Sequence, residues 1–159
     1  MLDITSETYL FSRPKLLKRA VFEEQEDDKI SRRLKKPTIL VVDDQHLIAD
    51  TTTMVLNRFG FLAERAYSGE TALEMALRLK PDYLLTDIVM PGMNGVDLAI
   101  SVRKRLPATI IVLLSGQAGV TNLLKDAKIK GHEFDLLAKP IHPEKLMEYL
   151  RHKAPHFWQ

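Results

Sequence analysis

From Thr38 onward, short apolar runs rich in β-branched residues alternate with longer stretches in which apolar residues recur every three or four positions. The first pattern suits strands buried on both faces, and the second suits helices with one apolar side. Thr38-Ile39-Leu40-Val41-Val42 predicts a first strand, followed by a helix from about Gln45 to Phe59 that Gly60 closes. Phe61 to Ala66 predicts a weaker second strand. Ser68-Gly69-Glu70-Thr71 then opens a helix that runs to Leu79 and is stopped by Pro81. Tyr83-Leu84-Leu85-Thr86-Asp87 predicts a third strand, and a loop with Pro91, Gly92 and Gly95 leads to a helix from about Val96 to Arg105. Thr109 to Leu114 is the most strand-like run. After Ser115-Gly116 a helix is expected from about Val120 to Ile129, then a fifth strand from Phe134 to Ala138 and a last helix from Pro143 to His152.

Five strands alternating with five helices predict an α/β fold on a doubly wound parallel sheet, with right-handed crossovers placing helices on both faces. This domain spans residues 37–152. The stretch 1–36 is different: Glu23, Glu24, Glu26, Asp27 and Asp28 are followed by Lys29, Arg32, Arg33, Lys35 and Lys36. Acidic residues N-terminal to basic ones suit a helix over 14–34, whereas the charge density equally suits a solvated, disordered arm. Residues 153–159 form a short tail carrying Phe157 and Trp158, either frayed or packed onto the domain.

Composition changes the picture only by exclusion. Apolar residues make up 45% and charged residues 28% of the 159, the balance of an ordinary globular domain. A net charge of +2 gives no reason to expect nucleic acid as a partner, and the basic end of the arm argues for it by charge alone. The absence of cysteine removes disulfides, thiolate metal sites and a cysteine nucleophile together. No segment approaches the roughly 18 apolar residues of a membrane span, and Met1 to Leu10 lacks a signal-peptide pattern, so a cytoplasmic protein with no membrane partner is expected. The five histidines have no metal-ligand spacing, and His46 is expected to face solvent on the first helix.

In open parallel sheets, ligands bind beyond the carboxyl ends of the strands. The first predicted strand ends in Asp43-Asp44, the third in Asp87, the fourth in Ser115 and the fifth in Lys139. Singly, each has a plain structural explanation as a helix cap, turn or loop residue. Together they place three carboxylates, a hydroxyl and an ammonium on one sheet edge. Clustered carboxylates suit a hard cation such as Mg²⁺, an ionised aspartate can attack phosphorus, and Lys139 and Ser115 can hold phosphoryl oxygens.

Val41-Val42-Asp43-Asp44, the block from Thr86-Asp87 through Met90-Pro91-Gly92 to Gly95, Leu114-Ser115-Gly116 and Ala138-Lys139-Pro140 resemble the CheY-like receiver domains of two-component response regulators. The resemblance covers about Pro37 to Arg151. It implies a flavodoxin-like sheet of order 2-1-3-4-5, and Mg²⁺ held by Asp43, Asp44, Asp87 and the backbone carbonyl of Val89. It further implies that Asp87 accepts the phosphoryl group, with Ser115 and Lys139 holding it and the Lys139-Pro140 bond cis. The implied donor is a sensor histidine kinase or histidine phosphotransfer protein. Output is expected through an unidentified downstream protein, from a stand-alone receiver that phosphorylates and dephosphorylates itself rather than turning over as an enzyme. One departure stands out: the family's usual Tyr or Phe three residues before the lysine is Leu136 here, with Phe134 the nearest aromatic. Val89 offers no side-chain amide to position a hydrolytic water, which points to a longer-lived phosphorylated state.

Two rivals are weaker. A Mg²⁺-dependent phosphatase with an aspartyl nucleophile wants a second aspartate two residues on, where Val89 stands. A pseudo-receiver that binds partners without phosphorylation has no need of the intact acidic pair, acceptor, hydroxyl and lysine.

Overall fold

The computed structural model describes residues 35–116 and 121–158. The charged stretch before Lys35, with its expected helix over 14–34, and the segment 117–120, including the expected helix start at Val120, lie outside the described residues. Among the described residues there are five strands: β1 (Thr38–Val42), β2 (Leu62–Ala66), β3 (Tyr83–Asp87), β4 (Ile110–Ser115) and β5 (Asp135–Ala138). The helices between and after them are α1 (His46–Arg58), α2 (Gly69–Leu79), α3 (Gly95–Arg105), α4 (Thr121–Ile129) and α5 (Pro143–Lys153). All strand pairs are parallel and the order is β2-β1-β3-β4-β5, the doubly wound arrangement expected. No helix among the described residues is long and apolar enough to cross a membrane.

Alternation along the strands sorts the core into two layers. Leu40, Val42, Leu84, Ile111 and Leu113 point to the face covered by α2, α3 and α4. Ile39, Val41, Tyr83, Leu85, Val112 and Leu114 point to the face covered by α1 and α5. A one-residue slip of any central strand would exchange the two sets, so burial on both faces fixes the register.

The helix starts follow local chemistry. Ser68 caps α2 by accepting from the Thr71 amide, Asn94 caps α3 by accepting from the Val96 and Asp97 amides, and α5 begins with Pro143. Gln45 precedes α1 without a side-chain cap. The Asp43 carboxylate, one strand end away, instead accepts from the Gln45 amide at 2.9 Å. Asp44, which could have been merely a cap, is thus not the residue that occupies that position.

The aromatic tail is packed rather than frayed. A short 3₁₀ turn (Pro155–Phe157) follows α5 and sets Phe157 and Trp158 against the second core layer. Trp158 lies 5.1 Å from Phe61, ring to ring, and the Arg151 guanidinium sits 5.0 Å over the indole. His46 is exposed as expected, with its ring stacked on Tyr67 at 3.9 Å.

Candidate functional site

The polar strand ends meet as the order of the sheet requires. Because β1 and β3 are neighbours, Asp43 and Asp44 after β1 come beside Asp87 at the end of β3. Each of the three offers a carboxylate oxygen within 4.8 Å of the others. Asp43 is 1% exposed and Asp87 8% exposed, while Asp44 is half-buried. Two like charges at that separation repel by roughly 3 kcal/mol at an effective dielectric constant of about 20, so the cluster needs cations.

One cation is built in. Lys139, just past β5, brings its Nζ to 2.6 Å from Asp43 Oδ2 and 3.3 Å from Asp87 Oδ1. The lysine is anchored through its backbone, whose amide donates to the Ser115 carbonyl at 2.7 Å, and the Lys139-Pro140 bond is cis. Ser115 closes β4 opposite Ala138 on β5, which places it on the same edge. The Ile88 amide donates to Asp87 Oδ1 at 2.9 Å. Burial pushes the Asp87 carboxyl above the usual range; Lys139 pulls it back down, and the Asp43 charge pushes it up again.

Among the described residues a single lysine pairs with the three carboxylates, which leaves a surplus of negative charge. A set of oxygen donors with such a surplus, on one open edge, fits a hard divalent ion of the Mg²⁺ type. Val89 lies two residues beyond Asp87 on the following loop, with its side chain 46% exposed.

That loop is shaped by close backbone approach. Gly95 donates to the Ile88 carbonyl at 2.9 Å, and a Cβ at Gly95 would lie 2.0 Å from the Asp87 carbonyl oxygen, so only glycine closes the loop against the strand end. From the sequence Gly95 reads as a loop former, with nothing nearby to mark this contact. Glu70 likewise reads only as part of a helix start, whereas its carboxylate accepts from the Met93 amide at 2.8 Å.

The expected departure at the far strand is also visible. Leu136 stands on β5, 45% exposed. Phe134, the nearest aromatic, is half-buried under the Arg103 guanidinium, 4.2 Å from the ring centroid, and Arg103 donates to the Glu133 carbonyl at 2.5 Å.

The family model described as the response regulator receiver domain matches residues 39–151, which takes in every strand end described above except the first residue of β1. The chain belongs to that family. Among solved structures, this receiver is similar to chemotaxis protein CheY4 of Vibrio cholerae, with a TM-score of 0.66 and 28% identity over 74% of this chain and 98% of that one. It is 33% identical over 113 residues to the DNA-binding response regulator MtrA of Mycobacterium leprae, covering 71% of this chain and 49% of MtrA. It is also 35% identical over 101 residues to the autoinducer 1 sensor kinase/phosphatase LuxN of Vibrio campbellii, covering 60% of this chain and 12% of LuxN. The chain therefore spans about half or less of these curated relatives. The receiver is a module of two-component signalling in proteins of quite different overall construction.

Proposed function

We propose that this receiver accepts a phosphoryl group on Asp87 from a phosphohistidine of a sensor kinase or histidine phosphotransfer protein, in a Mg²⁺-dependent reaction. The observation that carries the reading is the buried Asp87 carboxylate within 4.8 Å of two further carboxylates and 3.3 Å from Lys139. Asp43, Asp44, Asp87 and the Val89 carbonyl would hold the metal. When bound, Mg²⁺ would neutralise the carboxylates and the charge on the incoming phosphoryl group.

An Asp87 carboxylate oxygen attacks phosphorus, the bond from phosphorus to the donor nitrogen breaks, and the imidazole leaves with the electron pair. The product is an acyl phosphate on Asp87. Lys139 holds one phosphoryl oxygen by a charge-assisted hydrogen bond, moving from the Asp43 pairing it keeps at rest, and the Ser115 hydroxyl donates to another. The Ile88 amide keeps the attacking carboxylate oriented through Oδ1. Movement of Ser115 and Lys139 towards the phosphoryl group then biases a two-state element that includes Ser115 and α4, and a downstream protein reads the change.

With Leu136 in place of the usual aromatic and Phe134 pinned beneath Arg103, the signal reaches the surface without an aromatic swing on β5. Intact mass after incubation with Mg²⁺ and acetyl phosphate tests the reading. One phosphoryl adduct is expected, dependent on Mg²⁺ and absent from Asp87→Asn. A folded protein that takes no adduct from acetyl phosphate or from a phosphorylated histidine donor would instead be a pseudo-receiver.

A further inference from the structure

We infer that Glu70 is a positioning residue for the acidic site: it clamps the tip of the loop that follows Asp87 and so fixes the segment carrying Val89. The inference rests on the Mg²⁺-dependent reading above and assigns a role to a residue outside its ligand set.

The loop from Ile88 to Gly95 is closed at its neck, where the Gly95 amide meets the Ile88 carbonyl at 2.9 Å. A neck alone leaves the intervening residues free to swing. The tip is held from a separate element. Glu70 Oε1, in the first turn of α2, accepts from the Met93 amide at 2.8 Å across 23 residues of sequence. On the other side of the same residue, α2 begins with a glycine, and a Cβ on Gly69 would lie 2.4 Å from the Met93 carbonyl oxygen. Gly92 adopts φ +73°, and a Cβ there would come within 2.6 Å of Glu70 Oε1. Met93 is thus gripped at its amide by a carboxylate and at its carbonyl by backbone packing, in a space where two glycines make room.

The carboxylate is placed to stay charged. Its own backbone amide and the Met93 amide hold the Glu70 carboxyl below the usual range, and a helix N-terminus favours an anion there. An exposed glutamate in a first turn needs no partner for solubility, so its capture of a distant loop amide has a consequence for that loop. Val89 lies between the neck and the clamp, and tightening the tip narrows the positions its carbonyl samples.

Titration calorimetry of Mg²⁺ into wild type, Glu70→Ala and Glu70→Gln, with melting temperatures recorded beside it, tests the clamp. Alanine removes the acceptor and should weaken Mg²⁺ binding by roughly 3- to 10-fold, less than loss of a side chain that touches a ligand directly. Glutamine keeps an acceptor oxygen and should restore binding to within about twofold of wild type. Acetyl phosphate labelling of the alanine variant should be slow at limiting Mg²⁺ and recover at saturating Mg²⁺. If alanine binds Mg²⁺ as wild type does, or if glutamine is as weak as alanine, the clamp is wrong while the functional reading stands. A wild-type protein that binds no Mg²⁺ and takes no phosphoryl group would overturn both.

Discussion

β3 carries a buried ionisable group at each end, and the two ends treat burial in opposite ways. At the amino end Tyr83 is fully buried in an aromatic layer with Phe61 and Phe157, and its hydroxyl donates to the Leu150 carbonyl at 3.0 Å. Burial pushes the phenol up to about 12, so it stays neutral and acts as a packing residue with one satisfied polar atom. At the carboxyl end, four residues on, Asp87 is nearly as buried, yet it faces two carboxylates and a lysine. Burial raises its pKa too, but there Lys139 opposes the shift. The same strand therefore ends in a neutral packing group on one side and in a carboxylate set among charges on the other. Surroundings, rather than burial itself, decide which.

The sharpest way to break this comparison is to delete the packing end. Tyr83→Ala should cost about 3–5 kcal/mol, through lost burial and the cavity left behind. The fraction that remains folded should still be labelled by acetyl phosphate, because the acidic edge does not depend on the phenol. Denaturant unfolding paired with mass analysis checks both halves. Equal loss of labelling per folded molecule would show that the two ends are not separable.

Next in size is Lys139→Met, which leaves Asp43 and Asp87 facing each other without their ammonium. The partly exposed setting tempers the penalty of an unpaired buried charge to about 1–3 kcal/mol without metal. Saturating Mg²⁺ should recover much of that loss, because a ligand bound only by the native state stabilises it. Thermal melts with and without Mg²⁺ measure the difference. No greater stabilisation by Mg²⁺ in the variant than in wild type would argue against shared neutralisation of the carboxylates.

Tyr83→Phe is a finer cut at the other end. It keeps the packing but leaves the Leu150 carbonyl without its hydroxyl donor, at a cost of about 1 kcal/mol. Labelling should be unchanged.

The smallest effect expected is in the pH dependence of stability. The folded Asp87 pKa is raised above the ordinary value of 3.8. Stability from such a group is complete below its unfolded pKa and is lost as pH rises through the folded one. Relative to Asp87→Asn, the wild type should therefore lose ground as pH climbs through that window and hold a constant gap above it. Paired urea titrations across acid to neutral pH would show it. A gap that narrowed with rising pH would reverse the sign of the electrostatics argued for this site.

The strands and the edge chemistry were legible because both are written locally. A β-branched run such as Thr38 to Val42 declares a buried strand, and the polar residue that ends it falls at the sheet edge by construction. The helix start at Ser68 followed from local cap chemistry, whereas the Asn94 cap of α3 did not stand out from the turn residues around it. What was hidden depends on contacts between distant residues. The Lys139–Asp43 pair joins positions 96 apart, and at 2.6 Å it is shorter than the 3.3 Å Lys139–Asp87 contact. Nothing near Glu70 announces that its acceptor is used by Met93 rather than by solvent. Gly95 reads as a turn residue until the strand end beneath it is known. The tail was undecided for the same reason, since Phe157 and Trp158 gain their place only from the surface of a finished core.

The most direct test of the central claim is to locate the phosphoryl group itself. After labelling with acetyl phosphate and Mg²⁺, borohydride reduction converts an acyl phosphate to a primary alcohol, and peptide mapping then identifies the modified residue. A single reduced position is expected, at Asp87, seen only when Mg²⁺ and phosphodonor are both present. Reduction at Asp43 or Asp44 instead, or a stable adduct on serine or histidine with Asp87 untouched, would contradict it.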